Sequence, residues 1–311
     1  MTVLVTGGLG FIGSNFVIRH LAKYPDERLV IVDNESYAAS RENLSCVANK
    51  VFAHKVNIAD KDKMQKVMAK YMPHIIYNFA AESHVDNSIN DDSVFYQTNV
   101  MGTLNVLHLV KKYDIKLLHV STDEVYGSLA LDTNDVFTEK TPYNPLNPYS
   151  ASKAASDHMV RAYVNTHKIK AVVTNCSNNY GPRQHNEKLI PTIIRRAKAN
   201  MTIPIYGNGS NVRDWLYVDD HCDALLRISE GFIYGERYNI GGHNELTNLS
   251  LARYILDLMG KPRSLIEFVK DRPGHDARYA ISTKKIEREL KWHPTTTLEV
   301  GMKKTLEYYN A

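Results

Sequence analysis

In the first half of the chain, short apolar runs alternate with stretches whose apolar side chains return every three or four positions. The runs at 2–6 (TVLVT), 29–33 (LVIVD), 51–56, 74–80 (HIIYNFA), 115–121 (IKLLHVS) and 170–175 (KAVVTN) predict six strands. Helical spacing over 11–24, 61–71, 94–112 and 148–167 predicts helices between them, with Pro73 closing the second. Strands that are apolar throughout belong in a parallel sheet covered on both faces. Right-handed crossovers wind the helices onto both sides, so the expected class is α/β with a doubly wound parallel sheet. Ligands of such sheets sit at the carboxyl ends of the strands. Beyond Ser177 the pattern loosens, and segments rich in Asn, Gly and Pro separate short helices such as 188–200. This predicts a smaller, mostly C-terminal, substrate-binding lobe. The expected division is 1–177 with 206–240 for the sheet domain, and 178–205 with 241–311 for the lobe.

Composition adds exclusions. The 311 residues are 43% hydrophobic and 23% charged, enough apolar material for a full core and too much for a disordered chain. Lys and Arg exceed Asp and Glu by 38 − 34 = +4, spread along the chain, so no nucleic-acid partner is expected. No apolar run reaches about 18 residues, so no membrane partner is expected either. Cys46, Cys176 and Cys222 form no CxxC or zinc spacing, which predicts no metal site and a reducing compartment. Met1 leads straight into the first strand without a leader-like segment, so a cytoplasmic location is expected.

Three motifs carry chemistry. Gly7, Gly10 and Gly13 space a turn between the first strand and the first helix. Such a turn lets backbone N–H groups and the helix amino end approach a pyrophosphate. This is the signature of a Rossmann-type dinucleotide site, with Phe11 and Ile12 in the same turn. Asp33 ends the second strand, 20 residues after Gly13. A carboxylate there accepts from the ribose hydroxyls and repels a 2′-phosphate, so the expected cofactor is NAD. Tyr149 and Lys153, four apart on the fourth helix, share one face. The ammonium, with the positive nicotinamide ring, is expected to lower the tyrosine's ordinary pKa of about 10 and make it a base. The third motif, Thr122-Asp123-Glu124, follows the fifth strand at its carboxyl edge. Two acids of different protonation state suit an elimination, which needs one base and one acid.

The segments TGGLGFIGS, HVSTDEVYG and YSASK resemble the extended short-chain dehydrogenase/reductase family. With NNYGPRQHNEKLIP, RDWLYVDDH and RPGHDARYAI they resemble, more narrowly, its dTDP-glucose 4,6-dehydratase branch, over nearly the whole chain. The resemblance implies a lyase of deoxysugar, rhamnose-type biosynthesis that oxidises C4 of dTDP-glucose, eliminates water across C5 and C6, and returns hydride to C6. It assigns Tyr149 with Lys153 to C4, Glu124 as base at C5, Asp123 as acid at C6 and Thr122 to the sugar O4. It puts Phe79, Ala80, Ala81 and Asn99 beside the cofactor, and Asn57-Ile58 at adenine, where relatives usually carry Asp-Ile.

For substrate the resemblance implies Ser83 and His84, then Asn178, Lys188 and Leu189. Arg213 and Arg278 are expected to clamp the diphosphate, with Asn248 and His275 as further diphosphate candidates and Tyr279 near the nucleotide. For the helices at 94–112 and 148–167 the resemblance implies a homodimer packed as four helices. UDP-glucose is the rival substrate. An epimerase would lack the Asp-Glu pair, and a non-catalytic sensor would lack part of the Tyr, Lys and acid set.

Overall fold

The computed structural model describes residues 1–310. β1 (Thr2–Thr6) leads through a glycine turn into α1 (Phe11–Lys23) and β2 (Arg28–Asp33). β3 (Val51–Lys55), α2 (Lys61–Tyr71) and β4 (Ile75–Asn78) follow. Next come α3 (Val85–Asn90) and a helical run of α4 (Ser93–Phe95), a π-helical segment (Tyr96–Gly102) and α5 (Thr103–Tyr113). β5 (Lys116–Thr122), α6 (Pro148–His167) and β6 (Lys170–Cys176) complete the expected series. The later part holds β7 (Asn178–Tyr180), α7 (Leu189–Lys198), β8 (Ile203–Tyr206), β9 (Val212–Tyr217), α8 (Val218–Glu230) and β10 (Arg237–Ile240). β11 (Glu245–Thr247), α9 (Asn248–Leu258), β12 (Ile266–Val269), α10 (Lys284–Leu290) and α11 (Leu298–Asn310) end it.

Seven parallel strands form the main sheet in the order β10-β6-β5-β4-β1-β2-β3. Alternate residues of each strand face opposite sides. Val3 and Val5 of β1 join Phe16 of α1 and Leu225 of α8 on one face, while Leu4 joins Met68 of α2 and Val106 of α5 on the other. Both faces are dry, which is why the strand sequences carry no polar alternation. The winding reverses between β1 and β4, and the crevice at their carboxyl ends is where the site forms.

The second lobe has its own core of Tyr180, Ile190, Ile194, Trp215, Leu251, Ile255 and Met302. Its sheet orders β11-β9-β7, and β8 pairs with β12. The stretch 206–240, expected whole in the sheet domain, divides. β9 pairs with β7 and β11 in the lobe, whereas α8 packs on α1 and β10 joins β6. In the other direction, α10 leaves the expected lobe: Ile286 and Leu290 pack into the main core. Short strands of similar apolar content do not announce which sheet they join; pairing partners do.

Candidate active site

The turn after β1 is built for close approach. Gly7 has φ +67°, and a Cβ there would lie 2.7 Å from the Ala80 nitrogen. A Cβ on Gly13 would lie 2.2 Å from the Gly7 carbonyl oxygen, so the helix could not seat against the turn. Gly10 caps α1 with no side-chain cap, and no acid stands in the first turn. The helix therefore presents uncapped N–H groups and positive dipole to one cavity. Gly7, Gly10, Phe11, Ile12, Gly13 and Asp33 line that cavity, as do Asn57, Ile58, Phe79, Ala80 and Ala81. Asp33 accepts from the Leu9 N–H at 3.0 Å and the Glu35 N–H at 2.9 Å, which hold its carboxyl at the rim; burial raises its pKa. The Asn57 amide oxygen already accepts from the Ala59 N–H at 2.9 Å, leaving one lone pair for an adenine amine. A cradle that admits no side chain, an uncapped helix amino end and a carboxylate beyond it fit a dinucleotide.

Asn99 departs from expectation. It is buried in the π segment away from the cavity lining, and its amide brackets Glu82, accepting from its N–H at 2.9 Å and donating to its carbonyl at 3.0 Å. The same amide donates to Ser152 Oγ at 2.8 Å. Asn99 thus ties the loop after β4 to α6 rather than facing a cofactor.

Tyr149 and Lys153 owe their places to the start of α6. Asn147 Oδ1 accepts from the Ser150 N–H, and the Asn147 N–H donates to Ser150 Oγ, with Pro148 in the first turn. Tyr149 falls in that turn, its N–H donating to Ser88 Oγ of α3 at 3.2 Å. Lys153 follows one turn later. Both line the cavity beside Thr122, Asp123 and Glu124, which the end of β5 brings across from α6. Thr122 caps the turn after β5: its Oγ1 accepts from the Glu124 N–H at 3.3 Å and donates to Asp123 Oδ1 at 3.4 Å.

The electrostatics sort these groups. Asp123 is fully buried, with Oδ2 unpartnered; burial, Glu124 and then Asp214 push its pKa well above the carboxylate range. Asp123 therefore holds a proton more readily than an ordinary aspartate. Glu124 is also raised by burial, but Arg213, Arg272 and Lys188 oppose the rise. It is the more easily ionised of the pair. The protein's own groups pull Tyr149 the other way. Burial first, then the Glu124 charge, push the phenol well above its ordinary range, and a Thr122 hydrogen bond opposes them. The Lys153 ammonium donates to the Val120 carbonyl at 2.9 Å. A positive group beside Tyr149 is needed to make it a base.

Substrate-side residues divide. Ser83, Asn178 and Lys188 line the cavity. Asn178 Oδ1 is buried without a partner, and Lys188 Nζ donates to the Ser83 carbonyl at 2.8 Å. Burial lowers the Lys188 pKa. His84 instead caps α3, accepting from the Asn87 N–H at 3.4 Å. Leu189 opens α7 and packs into the lobe core, and Asn248 opens α9. Arg213 stacks 4.1 Å over Tyr279 and donates to the Asp276 carbonyl at 2.9 Å. Tyr279 reaches Glu124 Oε2 at 3.5 Å. Arg278 grips Glu245 at 2.7 and 3.1 Å and the Asp135 carbonyl at 2.9 Å. Its guanidinium is engaged as a brace within the lobe. His275 pairs with Asp271 at 2.6 Å.

Arg272 was not singled out by the sequence. It meets Asp86 of α3 at 3.2 Å while its buried Nε has no partner, so a cation spans the two lobes close to Glu124. The motif RPGHDAR held it, but nothing in spacing separates it from Arg278. Among the described residues, no group of three His, Cys, Asp or Glu side chains gathers to hold a metal, and no helix is long and apolar enough to cross a membrane.

A doubly wound sheet, a glycine cradle and a buried Tyr-Lys pair at one crevice define a dinucleotide-dependent enzyme of the extended short-chain dehydrogenase/reductase class. A family model described as GDP-mannose 4,6 dehydratase matches residues 4–305, and the chain belongs to that family. It is 46% identical over 330 aligned residues to a dTDP-glucose 4,6-dehydratase of Neisseria gonorrhoeae, covering 99% of this chain and 95% of the relative. A Bacillus anthracis dTDP-glucose 4,6-dehydratase solved in complex with NAD superposes with a TM-score of 0.93 at 44% identity, covering 100% of this chain and 96% of that one. The Streptomyces venezuelae dTDP-glucose 4,6-dehydratase, solved with NAD and TYD (thymidine diphosphate) bound, gives 0.96 at 42% identity, covering 100% and 97%.

Proposed function

We propose that the protein dehydrates dTDP-glucose to dTDP-4-keto-6-deoxyglucose and water, with NAD as a cofactor regenerated in each turnover. The observation that carries this reading is the Asp123–Glu124 step: two buried, adjacent carboxyl groups beside Tyr149, one held neutral and the other eased toward its charged form by three cations. Gly7 to Gly13, Asp33 and Asn57 would hold NAD, which supplies the hydride acceptor for C4 and the hydride donor for C6. Tyr149 takes the O4 proton. The resulting ketone acidifies C5, where Glu124 removes the proton. Asp123 protonates the C6 hydroxyl so that it leaves as water, Glu124 returns its proton to C5, and the proton Tyr149 took from O4 replaces the one Asp123 gave up. Thr122 sits between Tyr149 and Asp123, in reach of the sugar O4. An epimerase has no use for this acid pair.

The diphosphate falls to Lys188, Asn178 and Arg272 in this reading, with Arg213 behind them; Ser83 meets the hexose. The protein works as a homodimer. Val94, Tyr96 and Met101 stand exposed on the helical run that packs along α6, an apolar face suited to a second copy. The three cysteines are free, which suits the reducing cytoplasm.

Purified protein given dTDP-glucose and UDP-glucose separately should turn the first over faster, forming a nucleotide sugar lighter by one water. Deuterium placed at C4 should appear at C6. A galactose epimer as sole product, or label lost to solvent, sinks the reading.

A further inference from the structure

Behind the catalytic pair lies a buried carboxylate that the chemistry above does not use. Asp157 follows Lys153 by one helical turn on α6, and both are buried. Its Oδ2 accepts from Tyr143 Oη at 2.8 Å and from Asn175 Nδ2 at 3.2 Å, and His119 Nε2 lies 3.4 Å from Oδ1. The hydrogen-bond chain fixes the histidine's tautomer. Thr6 Oγ1 donates to Asn78 Oδ1, so Asn78 Nδ2 donates to His119 Nδ1 at 3.0 Å and the ring proton sits on Nε2, toward Ser156 and Asp157. Burial, with Lys153 nearby, lowers the pKa of His119 and keeps it neutral. Two neutral donors on Oδ2 therefore steady the Asp157 charge without cancelling it, while Oδ1 is buried without a hydrogen-bond partner beside the His119 ring.

A buried ion is costly unless something answers it. Facing Lys153 from α6 are Asp157 and the phenol of Tyr149. From β5 come the Val120 carbonyl and neutral His119; from β6 comes the Cys176 thiol, which burial pushes up to about 12 and so leaves neutral. The acids after β5 lie in the same cavity, Asp123 uncharged and Glu124 turned toward Arg213, Arg272 and Lys188. Arg237 of β10 lies on the far side of Asp157, 4.9 Å over the Tyr143 ring and bonded to the Glu139 carbonyl. It helps hold the carboxylate ionised but does not reach the cavity lining.

We propose that Asp157 is a positioning residue: the buried counter-charge that keeps the Lys153 ammonium protonated and aimed into the cofactor cavity. Burial alone drives the lysine toward its neutral amine, and Asp157 leads the groups opposing that drift. The inference gives Lys153 a charged place beside Tyr149 in the proposed dehydratase and rests on that reading.

The test follows Lys153 itself, by NMR of protein carrying 13C at the lysine ε-carbons, with the signal assigned by Lys153→Arg. Without cofactor, the parental Lys153 should still be an ammonium at pH 8, and a neutral amine there overturns the proposal. In Asp157→Asn its midpoint should fall by about one unit or more, the size of a lost neighbouring charge. An unmoved midpoint also overturns it. Asp157→Ser, which leaves room for a water, replaces the asparagine variant should that one not fold. In the holoenzyme, the alkaline limb of kcat for dTDP-glucose should move to lower pH in Asp157→Asn and return in Asp157→Glu. A uniform loss of kcat at every pH would mark a merely structural role. If the parental enzyme forms no dehydrated product, the dehydratase reading fails, while the NMR titration still decides the place of Asp157.

Discussion

Asp123 and Glu124 are neighbours in the chain and opposites in company. The first meets Glu124 and Asp214 with only Arg213 to oppose them, its Oδ2 unpartnered; the second meets Arg213, Arg272 and Lys188. Removing the base should therefore differ from removing the acid's charge. Glu124→Gln should lower dehydration by about 100-fold or more, while a C4-oxidised intermediate still forms; quenching a single turnover and weighing the products checks this. Asp123→Asn should abolish water loss yet stabilise the fold at pH 7. The sign follows from the raised pKa. A carboxyl that binds its proton more tightly when folded contributes full stability below about pH 4, the unfolded value, and loses it as pH climbs toward the folded one. An asparagine has no charge to bury, so the variant's melting temperature should exceed the parental one at pH 7, and the gap should close near pH 4. A constant gap across that range would contradict a neutral Asp123.

Among elements, α6 matters most, because its first turn sets Tyr149 and its second sets Lys153. The start is written locally in Asn147, Pro148 and Ser150. Asn147→Ala should cost about 1 kcal/mol, read by denaturant unfolding, and should lower kcat more than KM because Tyr149 loosens. Asn147→Asp should restore both. The run expected as one helix over 94–112 was legible as helical but not as π-wound between Tyr96 and Gly102. Its cause is tertiary: Gly102 packs where a Cβ would lie 2.6 Å from Ile58 Cδ1, and Asn99 turns inward to bracket Glu82. Periodicity reports which face is apolar, and one widened turn leaves that face nearly unchanged. The same limit explains Asn99, whose motif position suggested the cofactor while packing directs it to a loop.

At the scale of the whole molecule, two lobes meet across the crevice through contacts far apart in sequence, such as Arg272 with Asp86 and Tyr206 with Asp86. The apolar face of Val94, Tyr96 and Met101 looks outward from this assembly. Met101→Glu should convert a species of twice the 35.3 kDa chain mass into one of the single-chain mass, as light scattering would measure. A parental protein already at the single-chain mass would refute the dimer.

Six strands, the glycine cradle, Asp33 and the Tyr149–Lys153 pair were legible in the sequence itself. Each depends on neighbours within a few residues: uninterrupted apolar runs, a turn that admits no Cβ, an acid at a strand's end, a tyrosine and lysine one turn apart. What needed the tertiary structure was the sharing of charge. Arg213 and Arg278 read alike in the chain, yet one stacks on Tyr279 beside the catalytic acids while the other grips Glu245. Nothing in the spacing of Tyr149 and Lys153 shows that the ammonium also donates to the Val120 carbonyl or that Asp157 stands one turn further on. Electrostatic partners are set by distance through a packed interior, and spacing along a chain does not encode that distance.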